Sequence, residues 1–176
     1  MSAPEFSRPV RIDTLGEGER RMAIEADAGE RAALARRFGL VAIGRLSAEF
    51  ALSIRDEEVA MTGALAAAVT QSCVATDVPL EAALEEPFAI VFRPEPQAGG
   101  GEEEVELDDA EMDVVFYDGS SIDVGEAVAE TLLLNLDPYP RAPGAEEALK
   151  VAGVKSEDET GPFSALAGLK DKLKKV

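Results

Sequence analysis

The sequence predicts an α+β fold, in which a curled antiparallel β-sheet (a meander or partial barrel) carries two packed helices and a C-terminal amphipathic helix. Two observations support this prediction. Most of the first 93 residues alternate between apolar and polar side chains, the pattern of strands that bury one face. Two other segments follow an aspartate and space their apolar residues three to four apart, which is typical of capped amphipathic helices. With 176 residues, 46% of them hydrophobic, the chain can form one such domain around a core.

Two short β-prone segments come first, Phe6–Asp13 and Glu19–Ala26. A Gly-Glu-Gly link separates them, so a hairpin-like connection is predicted. Asp27 is then a good N-cap, and Gly39 a good terminator, for a helix over Ala28–Phe38. The predicted apolar stripe of this helix comprises Ala32, Leu34, Ala35 and Phe38.

Three longer strands are predicted next. Residues 46–55 alternate cleanly, and the acidic turn Asp56-Glu57-Glu58 leads into a second alternating segment, which runs from Val59 to Cys73. Gly63 lies inside this second strand and indicates a bulge or sharp bend, as curled sheets require. Phe88–Phe92 is the third strand and completes the meander.

Residues 95–112 are predicted to form a mobile acidic loop, because they combine prolines, glycines and runs of Glu and Asp with almost nothing to bury. A short strand follows at Val114–Tyr117. Asp123 then caps a helix over Val124–Asn135, and Glu126 at its third position completes a predicted capping box. The side chains predicted to face inward are Val128, Leu132, Leu133 and Leu136.

The chain beyond this helix is predicted to contain only short elements. Ala145–Val151 has the length of two helical turns. Residues 1–152 are therefore expected to form a single domain, residues 153–161 a linker, and residues 162–176 a basic amphipathic helix that starts at Pro162. The lysines of this last helix either complement its dipole or contact a partner or RNA, and both interpretations stay open.

Charge is distributed unevenly along the chain, whose net charge at pH 7 is −18. Residues 1–55 carry nine Arg and eight acids, residues 56–162 carry four basic residues and 26 acids, and residues 163–176 carry four Lys and one Asp. A net-acidic surface repels free duplex nucleic acid at long range and attracts basic partners.

Missing residue types exclude several classes of site. Without any histidine the chain can form neither a Ser-His-Asp nor a Cys-His catalytic centre, and no histidine-based metal site. Cys73 is the only cysteine, so we predict a structural thiol, no internal disulfide, and no bound metal or cofactor. No signal peptide or apolar stretch of membrane-spanning length is found, which favours a cytoplasmic location.

Three segments stand in a distinctive order. In residues 63–92 a strand with an internal glycine leads into Gln71-Ser72-Cys73-Val74-Ala75-Thr76 and then into Phe88–Phe92. Residues 122–141 form a Glu-then-Leu-rich helix that ends in Pro-Tyr-Pro, and residues 162–170 contain Phe-x-x-Leu-x-x-Leu. Together these segments resemble the YceD family of bacterial and plastid proteins. Many relatives carry Cys-x-x-Cys where this chain has Cys-Val-Ala-Thr, so a metal site drawn from them does not transfer.

This resemblance implies a role in accumulation of large-subunit ribosomal RNA, hence in ribosome biogenesis, without enzymatic activity. The expected partner is a basic large-subunit ribosomal protein or a ribosomal RNA precursor, and the acidic middle of the chain suits a basic protein. The alternative is a direct RNA-binding module that uses the Arg-rich N-terminal half and the Lys-rich tail. An enzyme that uses carboxylates alone is a third class, which no motif favours.

Candidate partner-binding residues lie in the last two segments. Glu130 lies two residues before the first of the inward-facing leucines, Leu132. A charge at this position costs free energy of folding unless it is paired, and an Arg of the first helix could pair with it. One proline is enough to end a helix, yet both Pro138 and Pro140 follow this one. They either hold Tyr139 and Arg141 in an extended, exposed geometry or simply direct the path of the chain. The candidate residues are Glu130, Pro138, Tyr139, Pro140, Arg141, Phe163, Leu166 and Leu169.

Overall fold

The computed structural model describes residues 4–16, 18–95 and 113–154, which form seven strands and three α-helices. The fold is therefore α+β, as the sequence predicts. In chain order the elements are β1 (Pro9–Arg11), β2 (Arg20–Glu25), α1 (Ala28–Phe38), β3 (Ala42–Arg55), β4 (Glu58–Ser72), β5 (Pro79–Pro94), β6 (Asp113–Tyr117), β7 (Ser121–Asp123), α2 (Val124–Leu134) and α3 (Ala145–Val151).

The main sheet has five strands in the order β2-β3-β4-β5-β6. β3 pairs antiparallel with both β2 and β4. β5 and β6 pair in parallel, with Ile90 opposite Asp113 and Pro94 opposite Tyr117. The sheet is thus mixed, and the prediction of a purely antiparallel sheet is wrong at its last strand, because an apolar pattern does not encode strand direction. β2 and β6 are edge strands, so no barrel closes among the described strands, and the curled shape stays a prediction.

β1 belongs to a second, two-stranded sheet with β7, in which Pro9 lies opposite Asp123. The predicted hairpin between the first two segments is therefore wrong. The Asp123 carboxylate stabilises the observed pairing, because it accepts a hydrogen bond from the Arg8 backbone N–H at 2.8 Å. β2 pairs with β3 instead, which points Met22 and Ile24 toward the core.

Local signals determine both ends of α1. The Asp27 carboxylate accepts hydrogen bonds from the backbone N–H groups of Gly29 and Glu30, at 2.7 and 2.9 Å. The Glu30 carboxylate in turn accepts from the Asp27 N–H at 2.8 Å, which completes a capping box. Gly39 ends the helix in the left-handed region, at φ 66°, where glycine has no steric penalty.

One hydrophobic core joins side chains of α1, α2 and the main sheet. Its largest fully buried members include Phe6, Leu34, Leu46, Leu52, Met61, Leu65, Phe92, Ile122 and Leu132. Each such Leu or Phe stabilises the fold by about 1.5–3 kcal/mol relative to an exposed position.

Two residues predicted to face this core are exposed instead, Ala32 on α1 and Leu133 on α2. Each lies one or two positions from a fully buried leucine, Leu34 or Leu132. The buried face of each helix is therefore narrower than the predicted apolar stripe. Of the other predicted inward residues, Ala35 and Val128 are buried, whereas Phe38 and Leu136 are half-buried.

Gly63 lies opposite Phe50, and no bulge interrupts the pairing of β4 with β3 at this position; the predicted sharp bend stays a prediction. A Cβ atom on Gly63 would overlap the Glu49 carbonyl oxygen and the Phe50 Cβ. The glycine therefore permits close approach of β3 and β4. The irregularity between these strands lies instead between Ile43 and Arg45.

The chain divides into two compact units. One comprises Met1–Gln71 and Glu81–Pro138, with α1, α2 and the hydrophobic core. The other comprises Ser72–Leu80 and the chain from Tyr139 onward, with α3. The predicted C-terminal helix, and nearly all of the predicted acidic loop and linker, lie outside the described residues. None of the described helices is long and apolar enough to cross a membrane.

Candidate functional site

In the first unit, an arginine of α1 binds the first glutamate of α2. The Arg37 guanidinium donates to both carboxylate oxygens of Glu126, at 2.6 and 3.0 Å, and to Glu5 at 3.1 Å. The hydrogen bonds to Glu126 are the main cause that raises the pKa of Arg37 above its ordinary value. The capping box predicted for α2 is therefore wrong: Asp123 caps the helix, but the Glu126 side chain reaches Arg37 instead of returning to the N-cap.

Glu130, one helical turn after Glu126, has different surroundings. It is exposed and forms no hydrogen bond or ion pair with any residue that the structure describes. The predicted pairing with an Arg of α1 is therefore not found among the described residues, and Arg37 binds Glu126. The Glu130 carboxylate is thus available to a donor from another molecule.

A cleft of about 230 Å³ lies between α2 and β6, and we call it the α2–β6 cleft. Three apolar residues (Phe92, Val115 and Phe116) and three acids (Asp118, Glu126 and Glu130) are among its lining residues. No Arg or Lys belongs to the described lining. Since β6 is an edge strand, the cleft lies at the margin of the main sheet. Its apolar and acidic lining suits a ligand that is both apolar and basic.

The Pro-Tyr-Pro-Arg segment follows α2. Pro138 is exposed and is the last residue of the first unit. In the second unit, Tyr139 is 72% exposed, Pro140 is half-buried and Arg141 is exposed. The Pro140 carbonyl accepts a hydrogen bond from the Val74 N–H at 2.9 Å, which anchors the segment between the two exposed side chains. The recognition role of these residues stays a prediction.

The predicted site residues Phe163, Leu166 and Leu169 lie outside the described residues. The cleft, in turn, includes two residues that the sequence did not single out, Phe116 and Asp118. Phe116 belongs to the short strand predicted at Val114–Tyr117, and Asp118 directly follows that strand. β6 pairs in parallel with β5, and the apolar pattern of the sequence does not encode the direction of that pairing.

Cys73 is fully buried in the second unit. Its Sγ accepts a hydrogen bond from the Ala142 N–H at 3.2 Å. Among the described residues the buried Thr76 hydroxyl has no partner of ordinary hydrogen-bond geometry, and its interaction with the sulfur is the largest cause that lowers the pKa of Cys73 to about 7. Backbone N–H groups of Ala142 and Ala75 lower the pKa of the thiol further. Among the described residues, no cluster of three or more Cys, Asp or Glu could hold a metal ion.

Comparison with known proteins gives one match. A family model described as "Large ribosomal RNA subunit accumulation protein YceD" matches residues 61–170, more than half of the chain. The matched span includes β6, α2 and the Pro-Tyr-Pro-Arg segment. Neither a curated protein nor a solved structure matches the chain.

Proposed function

Because the chain belongs to the YceD family of large ribosomal RNA subunit accumulation proteins, we propose that it is a non-enzymatic, cytoplasmic ribosome-biogenesis factor. It supports accumulation of large-subunit ribosomal RNA by binding a basic large-subunit ribosomal protein. A bound acidic factor would hold such a protein soluble until the RNA receives it.

The acidic charge of the chain favours a basic protein, rather than RNA, as the partner. Residues 56–162 hold 26 acids and four basic residues, and most of the family match lies in this span. Opposite charges accelerate encounter and favour basic partners over nucleic acid. The α2–β6 cleft supports the same partner, because Glu130 and Asp118 have no ion-pair partner among the described residues.

Direct binding to RNA is the alternative, and the arginines of the N-terminal half argue against it. Within residues 4–16, 18–95 and 113–154, four of these nine side chains form ion pairs with acids of the same chain: Arg8, Arg11, Arg21 and Arg37. Tight RNA binding needs clustered, uncompensated cations that displace counterions from phosphates. The paired arginines supply little of that charge.

The test is capture of partners by the tagged full-length protein at moderate salt, with and without ribonuclease. We expect basic large-subunit proteins to be recovered in both samples. Recovery that disappears after ribonuclease would instead indicate contact through RNA. In cells that lack the protein, we expect the ratio of large-subunit to small-subunit ribosomal RNA to fall, and an unchanged ratio would contradict the proposal.

A further inference from the structure

We propose that the α2–β6 cleft is the docking site for a basic segment of the partner, in which an apolar side chain stands beside a Lys or Arg. This inference rests on the proposed function and locates the partner on the molecule. It follows from the charges at the cleft, from its apolar lining and from its position at the sheet edge.

The charges at the cleft are only partly compensated within the chain. Glu126 is held by two hydrogen bonds from Arg37. Glu130 and Asp118 are exposed and have no partner among the described residues. A cation that binds these two carboxylates therefore breaks no ion pair seen in the structure, and the full electrostatic attraction favours binding.

The apolar lining of the cleft indicates that the ligand carries an apolar side chain as well as positive charge. Phe116 belongs to the lining of the cleft and is 58% exposed, although it is a large aromatic residue. An apolar side chain of the partner would remove this surface from water. The alkyl stem of a neighbouring Lys or Arg can cover further apolar surface while its charged end reaches Glu130 or Asp118.

The position of the cleft favours a partner over the adjoining part of the same chain. β6 is the last of the described strands on its side of the sheet, so a second polypeptide can approach from that edge. Residues 96–112, which precede β6, contain seven acids and no Lys or Arg. Like charges disfavour their binding beside Glu130 and Asp118.

The test measures binding of a fluorescent twelve-residue peptide, rich in Lys with one central Phe, to the full-length protein by anisotropy. The double variant D118N/E130Q should weaken binding about fivefold to tenfold, as expected for the loss of two exposed ion pairs. The matched control E146Q/E147Q removes the same charge from exposed residues of α3 and should change the affinity less than twofold. F116S should abolish the preference for this peptide over one with Ser in place of Phe.

Equal weakening by D118N/E130Q and E146Q/E147Q would overturn the inference, because binding would then follow total charge. So would a preference for the Phe peptide that survives F116S. If replacing Lys170, Lys172, Lys174 and Lys175 by Gln strongly tightens peptide binding, the basic end of the chain occupies the cleft, and an external occupant is wrong.

The capture experiment distinguishes an incorrect cleft inference from an incorrect proposed function. If D118N/E130Q still recovers basic large-subunit proteins as well as the wild type does, the cleft inference fails and the proposed function stands. If the wild-type protein recovers none, the proposed function fails, whatever the peptide shows.

Discussion

Arg37 Nη2 lies 2.6 Å from Glu126 Oε1, which joins α1 to α2 across 89 positions of sequence. Nη1 of the same guanidinium lies 3.0 Å from the second carboxylate oxygen, so the pair is bidentate. Both side chains are partly covered, at 35% and 21% exposure. Glu126 therefore has a stabilising role, whereas Glu130 does not.

The first prediction compares these two glutamates. Glu126→Gln should lower the free energy of unfolding by about 1 kcal/mol, because it weakens a partly buried bidentate pair. Glu130→Gln, the same substitution one turn later, should leave stability unchanged. Urea denaturation of both variants, and of Arg37→Met with Glu126→Gln in a double-mutant cycle, measures the difference. Equal destabilisation by the two Gln variants would contradict it.

The second prediction concerns acid sensitivity at Glu30. The hydrogen bonds from Arg8 are the main cause that lowers the pKa of Glu30 below its ordinary value of 4.5. A carboxyl with a lowered folded-state pKa stabilises the fold above its unfolded pKa, and the contribution is lost as pH falls through the folded pKa. Glu30→Gln preserves capping capacity but removes the charge. The thermal midpoint of Glu30→Gln should be lower than that of the wild type at pH 6, and the difference should shrink below pH 4.5. A difference that stays constant with pH would show that the charge of Glu30 does not contribute to stability.

The third prediction uses the thiol of Cys73, whose pKa is lowered from 9.0 to about 7. Its ionisation therefore stabilises the fold fully above pH 9 and not below pH 7. The midpoint advantage of the wild type over Cys73→Ser should widen between pH 6 and pH 9. Thr76→Val, which removes the largest cause of the lowered pKa, should reduce that widening. We also expect Cys73→Ser to support normal ribosomal RNA levels, since the thiol is buried.

The fourth prediction separates two adjacent leucines of α2. Leu132→Ala should reduce the free energy of unfolding by about 2–5 kcal/mol, because Leu132 is fully buried in the core. Leu133→Ala should cost less than about 1 kcal/mol, because Leu133 is 44% exposed. Denaturant titrations of the two variants give both values. Similar losses would mean that the helix face is assigned incorrectly.

The fifth prediction tests recognition by Glu130 and Arg141 in cells. Both side chains are exposed, so Glu130→Gln and Arg141→Ala should leave the thermal midpoint within about 2 °C of the wild type. If they contact the partner, the level of large-subunit ribosomal RNA should nevertheless fall. If the level of large-subunit ribosomal RNA falls only in a variant whose thermal midpoint also falls, the segment has a structural role and the recognition prediction is wrong.

Local signals in the sequence predict α1 almost completely, because Asp27 and Gly39 act on backbone groups within a few residues. The start of α2 at Asp123 is predicted for the same reason. Pairings between distant segments are not predictable in this way. The pairing of Pro9 with Asp123 and the ion pair of Arg37 with Glu126 depend on contacts across about a hundred residues. Glu130 was singled out from the sequence, but the cleft beside it also depends on the pairing of β5 with β6, whose partners are 23 positions apart and whose direction the apolar pattern does not encode.

The parallel pairing of β5 and β6 constrains the length of the chain between them. The chain leaves β5 at Pro94 beside Tyr117, yet it must enter β6 at Asp113 beside Ile90, four residues back along the sheet. At about 3.3 Å per residue this is a return of roughly 13 Å, which a tight turn cannot span. The segment of residues 96–112 therefore cannot be removed without displacing β6. Mutagenesis of this region should alter its charge at constant length, and insertions should be tolerated far better than deletions.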